Sequence, residues 1–292
     1  MIERIAIVGT GLIGASIGLA LRGAGFTGTI VGVDTNAGEA AEAKRLGAID
    51  RVVSPEKRAL EVCNTVDVVV LCVPVLAIMG WVERLAPVLG PRTLVTDVGS
   101  TKLAISELAR TSFIGVGRAR FLPGHPMAGK ESGGAALAEA KLFAGAMWLF
   151  TPLDDAATEL ETEWRRWVEK FGCRTMDLEA SRHDRICAWV SHLPQMVSTA
   201  MAAMFEDEFA QEPGMAEDFR AIGGRALGEM TRLGASPYSM WRDVAMTNTQ
   251  AVAATLFSLE QRLAHVRENL KTPELRAEFV KANRFRKDSR SL

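Results

Sequence analysis

The stretch Ile5-Ala6-Ile7-Val8-Gly9-Thr10-Gly11-Leu12-Ile13-Gly14 decides the fold. Four apolar residues read as a buried strand, and Ala15 to Ala20 continue as a helix. Between them, Gly9 allows a tight turn and Gly11 lets a pyrophosphate approach the backbone. Gly14 lets helix and strand pack closely. The helix N-terminus adds N–H donors for an anion. Val31-Gly32-Val33-Asp34 supplies a second strand ending in an acid, and Asp34 falls 20 residues after Gly14, where a ribose-binding carboxylate is expected. This order predicts a bound dinucleotide. NAD is expected rather than NADP, because Asp34 repels a 2′-phosphate and Thr35 and Asn36 add no positive charge.

Strands and helices alternate from here to about residue 178, with apolar runs at 67–73 and 93–97. That alternation predicts an N-terminal α/β domain over 1–178, a Rossmann-type doubly wound parallel sheet. Runs at 120–122, 146–150 and 173–176 are expected to extend it. From 179 to 292 no strand is legible, and helices are expected over 182–206, 216–233, 239–268 and 273–285. This all-α C-terminal domain carries little charge over 196–205 and 244–263, too little for a solvated face. A homodimer through the helical domain is expected.

With 292 residues the chain is long enough for two domains. A net charge of −1, from 34 basic and 35 acidic side chains, argues against a nucleic-acid surface. No apolar run reaches membrane-spanning length. The first strand begins almost at Met1, so no leading signal is expected, and the chain offers no room for a further regulatory domain. Cys63, Cys72, Cys173 and Cys187 form no C-x-x-C pair and read as reduced thiols of a cytoplasmic protein.

Ligands of a doubly wound sheet bind beyond the carboxyl ends of its strands. The unusual sequences there are the Gly9 turn, Asp34, Val73-Pro74, Asp97-Val98-Gly99-Ser100-Thr101-Lys102 and a loop from Gly124 to Gly134. That loop carries His125, Lys130, Glu131 and four glycines. In the helical part, Ser191-His192-Leu193-Pro194-Gln195 puts a histidine and an amide on one helix face. Pro194 implies a kink or a freed carbonyl. On spacing alone His192 reads as a packed histidine, Arg232 as a surface charge, and His183 and His265 as unremarkable; no metal site is expected.

Taken together, Gly9-x-Gly11-Leu12-Ile13-Gly14, Asp97-Val98-Gly99-Ser100-x-Lys102, Gly124-His125-Pro126-x-Ala128-Gly129-x-Glu131-x-Gly133, Ser191-His192-Leu193-Pro194 and Thr231-Arg232 before Met240-Trp241-Arg242-Asp243 resemble the prephenate dehydrogenase family. The likeness spans about the whole chain. The family includes arogenate and dual-specificity cyclohexadienyl dehydrogenases. The resemblance implies oxidation of prephenate with NAD, loss of carbon dioxide and formation of 4-hydroxyphenylpyruvate. His125 matches the catalytic histidine, and Ser100 a serine orienting it and the substrate. Arg232 matches the arginine that binds substrate carboxylate, and His192 a substrate-pocket histidine. Glu131 and Glu229 match acidic positions that order the site across the dimer. Gln195 replaces a histidine of some relatives, which implies weak tyrosine inhibition.

The residue types suit that chemistry, which needs a base for one proton, a clamp for a dianion and an aligned nicotinamide. Two other readings fit the glycine turn. One is another dehydrogenase or imine reductase with a Rossmann and a helical dimer domain, of which a 3-hydroxyacid dehydrogenase calls for a lysine with asparagine nearby in the helical part. A dinucleotide sensor without catalysis needs neither His125 nor Arg232.

Overall fold

The computed structural model describes residues 1–53, 56–115, 117–209 and 212–288. Its first half runs β1 (Arg4–Val8), α1 (Leu12–Gly23), β2 (Thr29–Val33), α2 (Ala37–Arg45), β3 (Arg51–Val53), α3 (Glu56–Cys63), β4 (Val68–Leu71), α4 (Val75–Leu85), β5 (Leu94–Asp97), α5 (Leu103–Ser112) and β6 (Arg120–Leu122). The six strands form one parallel sheet in the order β3-β2-β1-β4-β5-β6. Successive strand side chains point to opposite faces. Ile5 and Ile7 of β1 therefore join one apolar core and Ala6 and Val8 the other. Burial on both faces is why the strand reads as an unbroken apolar run.

Two of the three fingerprint glycines are steric requirements. Gly9 has φ +88°, and a Cβ there would lie 2.4 Å from the Cys72 carbonyl oxygen. A Cβ on Gly14 would lie 2.0 Å from the Gly9 oxygen. Gly11 faces open space.

The later strands depart from the expected single sheet. β7 (Gly124–Pro126), β8 (Met147–Phe150) and β9 (Arg174–Asp177) form a separate three-stranded sheet, β7-β8 antiparallel and β8-β9 parallel. Pro123, between β6 and β7, has no N–H to continue a ladder. His125 thus stands on a strand, paired with Leu149, and not in a loop. The helix α6 (Glu159–Lys170) covers this region and opens with a capping box made by Thr158 and Glu161.

The remainder is helical: α7 (Ala180–Cys187), α8 (Leu193–Phe209), α9 (Pro213–Ile222), α10 (Arg225–Thr231), α11 (Tyr238–Thr247), α12 (Thr249–Glu268) and α13 (Pro273–Asp288). Three expected helices are interrupted. A π turn over Ala188–His192 separates α7 from α8, because Pro194 has no N–H for the Val190 carbonyl. Gly223-Gly224 divide α9 from α10. Asn248 leaves helical geometry (φ −133°, ψ 31°) between α11 and α12. Among the described residues no helix is long and apolar enough to cross a membrane.

The halves are joined by two helix caps. Neither α4 nor α5 carries a side-chain cap of its own. Asp243 of α11 accepts the Leu76 N–H at 3.1 Å. Asp184 of α7 accepts those of Lys102 (2.7 Å) and Leu103 (3.0 Å). Each carboxylate meets the positive end of a helix dipole.

Candidate active site

A cavity of about 670 Å³ lies between the halves, beyond the carboxyl ends of β1, β4 and β5. Gly11, Leu12, Ile13, Val73, Pro74 and Ser100 line it from the sheet side. His125 and Glu131 stand beside them, with Gln195, Arg232 and Trp241 opposite. An adjoining cavity of about 520 Å³ holds Gly9 and Asp34 and shares Gly11, Val73 and Pro74.

These residues fit a dinucleotide. The N-cap of α1 is Gly11, with no side chain over the first N–H groups. They remain available to an anion, and the bare Gly11 leaves space for it. One Asp34 oxygen accepts from the Thr10 N–H (2.7 Å) and hydroxyl (2.9 Å), and the other from the Asn36 N–H (2.8 Å). The carboxylate is thereby held at the end of β2, where a ribose hydroxyl can reach it.

The Asp97–Lys102 motif is a buried knot. The Asp97 carboxylate accepts the N–H of Gly99 (2.7 Å) and of Gly124 (3.2 Å) and pairs with the Lys102 ammonium. Both side chains are fully buried. Burial pushes the Lys102 ammonium down in pKa, and Asp97 opposes it. One carboxylate therefore fixes the Ser100 loop and the His125 strand together.

His125 is buried, with Nδ1 2.9 Å from Nε2 of His183. His183 Nδ1 lies 2.7 Å from Asp184 Oδ1, and the Cys187 thiol 3.5 Å from His183 Nε2. Burial first, then His183, Lys102 and His192, hold the His125 pKa well below 6.5. Burial also lowers that of His183, against Asp184. Glu131 is paired with Arg232 across the cavity. His125, His183 and Cys187 place ligand-type atoms within 4.8 Å of one another. The two histidine nitrogens already share a hydrogen bond, and burial pushes the Cys187 thiol up to about 12, so the trio is a hydrogen-bonded cluster.

Of the other expected site residues, Ser100 and Gln195 line the cavity and His192 and Glu229 do not. Ser100 lines the cavity, and among the described residues no hydrogen bond joins it to His125. His192 lies behind the cavity wall, its Nδ1 3.2 Å from the Asn248 amide nitrogen and its ring edge-on to Trp241. Burial lowers its pKa to about 4. Glu229 is exposed and pairs with Arg225, away from the cavity. The Gln195 amide donates to the Leu233 carbonyl (2.7 Å) and the Thr199 hydroxyl (3.1 Å). His183, Asp184, Trp241 and Asn248 were not singled out by spacing. The signals they offered are the His183–Cys187 pair at i, i+4 and the acid next to His183.

A Rossmann-type sheet, an open glycine turn and a buried histidine facing an arginine across one cleft define a two-domain, dinucleotide-binding oxidoreductase. Comparison with known proteins refines this. Residues 17–176 match the family model described as prephenate dehydrogenase, nucleotide-binding domain, and residues 179–283 that described as prephenate dehydrogenase, dimerization domain. The chain belongs to the prephenate dehydrogenase family. It is 31% identical over 265 residues to the prephenate dehydrogenase of Lactococcus lactis, covering 90% of this chain and 70% of that one. The prephenate dehydrogenase of A. aeolicus, solved with hydroxyphenyl propionate and NAD+, superposes with TM-score 0.85 at 28% identity, covering 100% of this chain and 98% of that one. The arogenate dehydrogenase of Synechocystis gives 0.77 at 29%, covering 98% and 99%.

Proposed function

We propose that this protein oxidises prephenate with NAD, releasing carbon dioxide and giving 4-hydroxyphenylpyruvate. The observation that carries the reading is His125. Its inner nitrogen is bonded to His183, while its residue lines the cleft shared by the glycine turn and Arg232. When bound, the nicotinamide supplies the hydride acceptor. The chain's own residues do the rest. His125 takes the ring-hydroxyl proton as hydride leaves the same carbon. The resulting carbonyl is conjugated to the carbon bearing the ring carboxylate, which departs as carbon dioxide. Its bonding electrons make the ring aromatic. The proton returns from His125 to the phenolate oxygen, so no net proton is released. Arg232 binds substrate carboxylate by exchanging Glu131 for it. Asp34 and the α1 N-terminus hold the dinucleotide.

One observation favours arogenate as a second substrate. Both amide hydrogens of Gln195 are engaged, so its oxygen is left as an acceptor, suited to an ammonium. Steady-state rates with prephenate and arogenate, each with NAD and NADP, test the assignment. Prephenate with NAD is expected to give the highest kcat/KM; no turnover of either substrate overturns the reading.

The helical domain completes the protein as a homodimer. A compact monomer of 31.6 kDa exposes about 12,000 Å². This chain exposes 16,326 Å². The helical half exposes large apolar side chains, with Met246, Phe257 and Leu263 about three-fifths exposed. An uncovered surface of this kind is what a second copy buries.

A further inference from the structure

We propose that His183 is a positioning residue that fixes the tautomer of His125 and, backed by Asp184, steadies the imidazolium formed during the reaction. The inference rests on the function proposed above, but its first step is geometric. Both Asp184 oxygens accept backbone N–H groups, from Lys102 and Leu103. Asp184 therefore acts as an acceptor toward His183 as well, and His183 carries its proton on Nδ1. A neutral His183 then has a bare Nε2. That nitrogen lies 2.9 Å from His125 Nδ1, which must bring the hydrogen to the bond. A neutral His125 protonated on Nδ1 is bare at Nε2, the nitrogen left for the cavity. The chain of atoms runs from Asp184 through His183 to His125, each N–H pointing toward the carboxylate.

The surroundings keep both rings neutral at rest. Burial is the main reason for both; after it, His183, Lys102 and His192 oppose a proton on His125, and Lys102 opposes one on His183, while Asp184 and Asp97 favour one there. The Cys187 thiol is a second, weaker donor to His183 Nε2. When His125 accepts the ring-hydroxyl proton at Nε2, its Nδ1–H bond to His183 becomes charge-assisted and shorter. Asp184 then offsets the new charge through His183. The wiring stores one proton for as long as carbon dioxide takes to leave and returns it to the phenolate oxygen. A wrong tautomer would present an N–H to the substrate hydroxyl and remove the base.

Imidazole nitrogen NMR of the full-length protein at pH 7.5 reads the tautomers without substrate or cofactor. The four histidines can be assigned by single substitution. His125 is expected to be protonated on Nδ1 and bare on Nε2, with His183 likewise protonated on Nδ1. A His125 protonated on Nε2 overturns the proposal, whatever the enzyme turns over. In kinetics, His183→Leu should lower kcat by about 10²–10³-fold with NAD affinity unchanged. His183→Gln, which keeps an acceptor for the His125 N–H, should recover at least tenfold of that loss. A His183→Leu enzyme with normal kcat also overturns it. Failure of the wild-type enzyme to oxidise prephenate or arogenate would sink the proposed reaction and leave the spectrum to judge the wiring.

Discussion

Lowering the pH from 7.5 to 5.0 will destabilise this protein through its buried histidines. His192 is the clearest case, with burial taking its pKa from 6.5 to about 4. Between those values the unfolded chain holds a proton that the folded chain refuses. Stability is therefore complete above pH 6.5 and is lost as pH falls toward 4. At pH 5 the unfolded residue lies 1.5 units below its pKa while the folded one is still neutral, at about 1.4 kcal/mol per unit. His192 alone thus removes about 2 kcal/mol from a total of roughly 5–15 kcal/mol. His125 and His183, both lowered, act in the same direction. The carboxylates with lowered pKa start from 4.5, so this window isolates the histidines. Urea unfolding followed by tryptophan fluorescence at the two pH values measures the loss. In His192→Asn, which stays neutral, the loss should be smaller by about 2 kcal/mol. An equal loss in variant and wild type would refute the reasoning.

Other outcomes follow from the cleft. His125→Asn should lower kcat by about 10²–10⁴-fold while NAD binding, read by fluorescence titration, stays unchanged. Because the His125 pKa is held below 6.5, wild-type kcat/KM should stay flat as pH falls from 8 to 6.5, and a fall centred at or above 6.5 would contradict this. Arg232→Ala should raise the substrate KM by at least tens of fold, since loss of a charge-assisted contact to carboxylate costs on the order of 2–5 kcal/mol; an unchanged KM would remove Arg232 from the site. Gly14→Ala should abolish NAD binding and lower Tm, because its Cβ would meet the Gly9 oxygen at 2.0 Å. Sedimentation at micromolar concentration should show twice 31.6 kDa, and a single 31.6 kDa species would count against the dimer.

The parts of this fold that obey one local period are legible in the sequence. β1, β2, β4 and β5 are short apolar runs closed by glycine, proline or an acid, and their parallel order follows from the alternation. The strands at 146–150 and 173–176 are legible too, but not their separation into a second sheet, since three-residue β7 carries its pairing only through long-range contact with β8. His183 was hidden for a different reason. In a regular helix His183 and His192, nine residues apart, lie about 180° apart. The π turn adds a residue to the path and rotates everything after it by about 100°, which brings His192 to the side of His125 and His183, behind the cleft wall. Pro194 marks the irregularity, but a helical wheel does not display its result. Arg232 is the reverse case: its motif is readable, while the Glu131 it pairs with lies 101 residues earlier in the chain.

The two exchanged caps bear on how the molecule melts. Asp243 and Asp184 hold the first turns of α4 and α5, helices of the other half. A cap of this kind contributes about 1 kcal/mol. A fragment ending at residue 178 would lose both caps and the cover over the Asp97–Lys102 pair. The place where strands give way to helices is thus a border of architecture and not of thermodynamics. Calorimetry should record one transition for the whole chain, with neither half outlasting the other.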